Sequence, residues 1–325
     1  MSERKGEKST TAQPDGTNDH YIAQFFLRGF EDRSPANRSN FKVIRVDLAS
    51  GRIERRAVRY TASAAGLYDA PRMDAAGTRL EHIYRDVEND AAPHIRRLIA
   101  GDLNLLPSAR GVVARFIAHQ GSRTETYRRW VDAMFQVAQT QIESYVLDLA
   151  RQHSPLAEAF ITSYIAAKRI AERDGDFLAE QSLKMAADVT PVLAARDWTV
   201  IEAPAGSEFI LGDQPVLGIR ERLTPANADE AVGSVGQMPL SPTRLLWMQR
   251  PAVSTTTGGL SSRIATPEQV VMHNRLSLGV SERYIFTRNE DLAEWAVQHR
   301  NDNQPLHLTD GSVVEPLRLT GSTAA

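Results

Sequence analysis

The chain of 325 residues contains no cysteine, which excludes disulfides, thiolate metal centres and a cysteine nucleophile. No apolar run approaches the roughly 20 residues of a membrane-spanning helix. Charge of one sign is also missing. With 38 basic and 40 acidic residues the net charge is −2, and the basic residues are dispersed. Whole-chain electrostatics therefore gives no case for nucleic-acid binding, although a basic cleft inside a neutral protein stays open. The N-terminal "MSERKGEKSTTAQPDGTND" lacks the apolar core of a signal peptide. Residues 1–17 are expected to be a disordered tail and the protein to be cytoplasmic. Gly-rich phosphate loops, His-Glu-x-x-His, Gly-x-Ser-x-Gly and the dinucleotide fingerprint are all absent.

What is present is an ordinary globular composition, 42% hydrophobic and 24% charged. The length suits one large domain or two smaller ones. Ile22, Phe25, Phe26 and Phe30 fall at helical spacing and predict a short first helix. "NFKVIRVDLASGRIERRAVRY" changes period around Ser50-Gly51 and reads as a β-hairpin. "GTRLEHIYRDVENDAAPHIRRLIAG" opens on Thr78-x-x-Glu81, a capping-box pattern, and Pro93 is expected to break or kink that helix near Ala91. A second helix begins around Ser108. Gly121 with Ser122-x-x-Glu125 marks either a break and a new cap or a position the helix runs through, to about Arg151. Two more helices are expected at about 155–172 and 176–194. After Arg196 come short β-rich runs, a polar excursion from Leu223 to Gly236, a helix from Pro267, a strand at "RYIFTR" and a helix from Glu290. Strands, helices, strands and helices in that order predict an α+β fold. Its mainly antiparallel sheet would be built from the N-terminal hairpin and the C-terminal strands, packed on a central block of long helices. Residues 18–305 are expected as one domain and 306–325 as a C-terminal tail.

The stretch "NDHYIAQFFLRGFED" sets His20 against an aromatic run. "HYIAQFFLRGF" is similar to the His-Tyr-x-Pro-x-x-x-Leu-x-x-Phe opening of the bacterial domain-of-unknown-function 4238 family. Four later segments resemble the same family in the same order. They are "LEHIYRDVE" with Glu81 and Glu88, "FIAHQGSRT" with Phe116, Gln120 and Arg123, "DWTVIEAPAGSEFILGDQPV", and "MPLSP". The resemblance runs over roughly residues 18 to 290. Ala23 stands where the family favours proline, and Gly212 where it favours the serine before Asp213. The resemblance implies a fold and a polar site, with no settled activity.

Each candidate residue has a plain and a functional reading. His20 either caps the first helix or acts as a general acid-base or metal ligand, its intrinsic pKa being near neutral. Glu81 and Glu88 share a helix face. Glu81 is the expected partner of Thr78, while Glu88 is the better functional candidate, with an ion pair to Arg85 as its plain alternative. Arg123 either pairs with a buried carboxylate such as Glu88 or grips a substrate phosphate or carboxylate. Asp213, in "LGDQPV", is a turn aspartate or a carboxylate presented at a strand end. His273 and His299 are assigned no special role, and Arg115 and His119 share a helical face by a spacing common by chance.

The first functional expectation is a hydrolase. His20, Glu88 and Asp213 would be its catalytic residues, Gln120 and Arg123 would bind substrate, and a phosphodiester would be the first class to test. Either a small molecule or a nucleic acid would fit as substrate. No cofactor is implied, although histidine with carboxylates is compatible with a divalent metal ion. The alternative is a non-catalytic binding or regulatory protein in which these side chains form a buried structural network. The first reading requires His20, Glu88, Arg123 and Asp213 to lie within about 10 Å of one another in one cleft.

Overall fold

The computed structural model describes residues 18–32, 42–65, 80–171, 175–220, 235–249, 258–302, 306–307 and 313–316. The expected tail over 1–17, Thr78 of the expected capping box, and most of the polar excursion after Leu223 lie outside them.

The chain enters through β1 (Asn18–His20), α1 (Gln24–Leu27) and a 3-10 turn over Arg28–Phe30. Of the residues at the predicted spacing Ile22, Phe26 and Phe30 are buried and Phe25 is half-buried against the core, while Leu27, outside that pattern, is also buried. β2 (Lys42–Asp47) and β3 (Arg52–Ala57) form the expected hairpin. Its turn closes because Gly51 accepts a φ of 72° and Asp47 Oδ1 accepts the Ser50 N–H at 2.9 Å. β4 (Ser63–Ala65) then returns to pair with β1, opposing His20 to Ser63.

Five helices follow: α2 (Leu80–Ile99), α3 (Pro107–Ser122), α4 (Glu125–His153), α5 (Pro155–Ala171) and α6 (Gly175–Ala195). Of the break or kink expected at Pro93 there is no break, since the proline lies inside α2. Val87, Ala91, Ile95 and Leu98 are buried on both sides of it, and burying such a stripe outweighs the ~3 kcal/mol that an interior proline costs. The α3–α4 break falls at Arg123-Thr124, two residues beyond Gly121. Thr124 Oγ1 accepts the Tyr127 N–H at 3.2 Å and is the cap. Ser122 instead turns its hydroxyl back to donate to His119 O.

The remaining strands are β5 (Asp197–Glu202), β6 (Leu211–Gly212), β7 (Leu217–Arg220), β8 (Val235–Ser241), β9 (Arg244–Gln249) and β10 (Leu260–Ile264). After them come α7 (Pro267–Val280), β11 (Tyr284–Thr287), α8 (Glu290–His299), β12 (Leu306–His307) and β13 (Val313–Pro316). The fold is α+β. Its larger strands divide between two sheets. A seven-stranded sheet runs β10-β5-β9-β8-β7-β13-β12, parallel only at β10–β5, and a four-stranded sheet runs β3-β2-β11-β6. The hairpin therefore joins β11 in the smaller sheet. Residues 313–316, inside the stretch expected as a tail, pair with β7.

The main core gathers the N-terminal segment, α2, α3 and one face of the large sheet, with Phe116 and Trp198 fully buried. A second core lies between the small sheet and α8. His273, on α7, is a core residue. Its Nδ1 lies 2.7 Å from Gln237 Oε1, and Phe209 and Trp247 meet its ring edge-on. Burial drops its pKa to about 3. Among the described residues, no helix is long and apolar enough to cross a membrane.

Candidate functional site

Three of the polar residues singled out in the sequence, Glu88, Gln120 and Arg123, form one network at the peptide of Tyr21. Gln120 Nε2 donates to Tyr21 O at 2.6 Å, and Arg123 Nε donates to the same oxygen at 3.2 Å. The Tyr21 N–H donates to Ala62 O. Ala23 N–H donates to Gln120 Oε1, which also accepts from Arg123 Nη2. Arg123 Nη1 completes the set with Glu88 Oε1 at 2.6 Å. Arg123 is 3% exposed and the Glu88 side chain 24%, so the pair straddles the edge of the core where α2 meets α3. Ala23 has φ −53°, a value proline also takes. A proline there would keep the backbone path and lose only the bond to Gln120.

The Tyr21 side chain leaves this network for a cleft of about 360 Å³. Its walls include Ser63, Glu125, Arg129, Asp213, Arg283 and Tyr284. Asp213 sits just past β6 and holds the turn into β11. Its Oδ1 accepts the Glu282 N–H at 3.1 Å, and its Oδ2 accepts those of Arg283 and Tyr284 at 2.8 and 3.0 Å. Burial opposes the charge more strongly than these donors favour it, and the carboxyl is pushed up to about 6. Burial and the neighbouring Asp213 also drive the Tyr21 phenol far above its ordinary value, so it stays protonated. Arg129 pairs with Glu282 and Glu125, and Arg45 pairs with Glu54. Arg283 has no ion pair among the described residues and lies against the Tyr284 ring, 4.8 Å from its centroid.

Of the five sequence candidates, Asp213 alone is part of the cleft wall. Glu88, Gln120 and Arg123 meet one another behind Tyr21. His20 precedes Tyr21, but its Nε2 is directed to Arg59 O and Gln24 Nε2, each at 3.2 Å. As a donor that nitrogen serves Arg59, and as an acceptor it serves Gln24. Glu81 is an exposed residue of the first turn of α2. His119, buried beside the Tyr84 ring and near Arg115 and Arg123, has its pKa pressed to about 4. Among the described residues no cluster of three or more His, Cys, Asp or Glu is placed to hold a metal ion.

Two cleft residues were missed by reading the sequence. Tyr21 was legible in principle, since it is the other half of the His-Tyr pair. Arg283 had no signal, because an arginine beside a strand is ordinary. Gly212 has a spatial reason. A Cβ there would run into Ser281 Oγ and lie 3.3 Å from Ser277 O. Ser281 itself donates to Ser277 O at 2.7 Å, so its hydroxyl fills the space that a side chain at 212 would need. Gly212→Ser is expected to destabilise the protein by about 1–3 kcal/mol through overpacking. The added change Ser281→Gly should recover most of that, as measured by denaturant unfolding; a double mutant no better than the single one would sink the explanation.

A family model described as "Protein of unknown function (DUF4238)" matches residues 18–291. No curated protein and no solved structure matches. The matched span contains the Tyr21 network and every cleft residue named above.

Proposed function

We propose, for a chain that belongs to the DUF4238 family, that the cleft is the reaction site of a hydrolase. Membership supplies no activity, so the reading rests on one observation. Gln120 and Arg123 are spent on fixing the Tyr21 peptide, and that peptide carries a protonated phenol to a cleft walled by a carboxyl poised near neutrality. Three side chains buried or half-buried to place one tyrosine beside one aspartate is an arrangement suited to acid-base work.

Asp213 is the base in this reading. A carboxylate has about four acceptor positions, and three are taken by backbone N–H groups, which leaves one on Oδ1. That lone pair takes a proton from water as the water oxygen bonds to the ester centre. The bond to the leaving oxygen breaks, and the proton held by Asp213 passes to it. The Tyr21 hydroxyl donates a hydrogen bond to the developing oxyanion and keeps its own proton. Gln120, Arg123 and Glu88 are positioning residues. A phosphodiester is the first substrate class to assay, since Arg283, which has no ion pair among the described residues, lines the same cleft.

The second reading, a non-catalytic binding protein, is favoured by a specific observation: each candidate polar side chain already has an internal partner. A hydrolase and nuclease panel with divalent ions, run on wild type beside Asp213→Asn and Tyr21→Phe, separates the two. Turnover lost in both variants supports the enzyme. A wild type inert across the panel leaves the binding reading standing. His20→Ala belongs in the same panel. It should stay within about 1 kcal/mol of wild-type stability and keep most activity, because its ring is turned to Arg59 and Gln24. Abolished turnover in a folded His20→Ala protein would return the histidine to the machinery.

A further inference from the structure

The Tyr21 side chain is 7% exposed, yet its hydroxyl has no hydrogen-bond partner among the described residues. The ring is buried while the hydroxyl at its tip reaches the cleft. A group bound in the cleft is therefore placed to meet it. Opposite it stands the first turn of α4, a 29-residue helix. Glu125 and Thr126 both line the cleft, and helix geometry leaves their N–H groups without intrahelical acceptors. As an acceptor Thr124 Oγ1 takes only the Tyr127 N–H. Arg283, exposed and without an ion pair among the described residues, closes the same wall.

We propose that the cleft contains a subsite for a singly charged oxyanion, held by the Tyr21 hydroxyl, the first-turn N–H groups of α4 and the Arg283 guanidinium. All three kinds of group can donate: the N–H groups and the guanidinium only donate, and the phenol keeps a proton to give because it stays protonated. The charge of the ligand is limited by what else lines the site. Asp213, Glu125 and Glu282 face the same space, with Arg129 set against Glu125 and Glu282. A dianion would meet their repulsion, whereas a monoanion gains the donors at smaller cost. A phosphodiester and a carboxylate share this chemistry. The assignment rests on the cleft being the functional site proposed above, and does not need the hydrolytic step.

The test is calorimetric titration of the full chain above neutral pH with dimethyl phosphate, acetate and phenyl phosphate as probes. The expected result is saturable binding of dimethyl phosphate or acetate, with the tighter of the two naming the ligand class, and weaker binding of dianionic phenyl phosphate. Tyr21→Phe, which removes only the hydroxyl, and Arg283→Gln, on an exposed side chain, should each weaken that binding tenfold or more while thermal unfolding is unchanged. Binding insensitive to both substitutions, tighter binding of the dianion, or no binding of either monoanion overturns the subsite. Binding lost in Tyr21→Phe by a wild type that hydrolyses nothing keeps the subsite and removes the hydrolase. Turnover by a wild type whose monoanion binding ignores both residues does the reverse.

Discussion

Arg123→Ala is expected to lower the free energy of unfolding by roughly 3 kcal/mol, the lower part of the range for breaking a buried pair. The lower part applies because Glu88 keeps about a quarter of its side chain in water and can rehydrate. What cannot rehydrate is the rest. Tyr21 O loses one of its two side-chain donors, and Gln120 Oε1 keeps only the Ala23 N–H. Each is an under-satisfied buried acceptor. Arg123→Lys should fall between wild type and alanine, since an ammonium can reach Glu88 or the Tyr21 carbonyl but lacks the planar fork that serves both with Gln120. Denaturant unfolding of the three proteins checks this. Equal midpoints would mean that the guanidinium contributes nothing to holding Tyr21, and the positioning role would fall with it.

On the proposed hydrolase reading, Asp213→Asn is expected to cut turnover by about 10²–10⁴, the usual contribution of a general base, with KM altered much less. The same variant tests the burial of the charge. The folded pKa, about 6, lies above the ordinary carboxyl value of 3.8. Between those values the folded state therefore binds more protons than the unfolded state, and stability from this group falls as pH rises. Its contribution is complete below about pH 4 and is lost through pH 6. Asparagine mimics the neutral acid at every pH. The mutant should therefore gain on wild type from about pH 4 to pH 7, by up to ~3 kcal/mol for a shift of about two units. His119 and His273 act with the opposite sign in both proteins. Their folded pKa values, about 4 and 3, lie below 6.5, so the stability they confer is present above that value and lost as pH falls. The comparison with the mutant cancels them. A stability gap that does not move with pH would show that Asp213 is an ordinary ionised turn residue.

The sequence by itself determined the α+β class, a helix from Glu290 and one over about 155–172, seen at Pro155–Ala171, and the hairpin around Gly51. Each follows from local chemistry: apolar spacing, an Asn289 cap that accepts the Asp291 and Leu292 N–H groups, and a turn that only glycine accommodates easily. It also named side chains that do meet in space, Glu88 with Gln120 and Arg123. It did not determine what they hold. Side-chain types carry no record of a partner that is a backbone carbonyl almost a hundred residues away. The continuation of α2 through Pro93 was decided by burial on both flanks, and the division of strands between two sheets by long-range pairing, β2 and β6 each joining β11. The cleft was decided the same way. Tyr21, the first turn of α4 and the turn after α7 are distant in sequence, and only tertiary packing sets a phenol, helix N–H groups and Arg283 around one space. Long-range placement depends on the summed burial of many surfaces, whereas a motif is local, so the holding residues could be read from sequence and the site they serve could not.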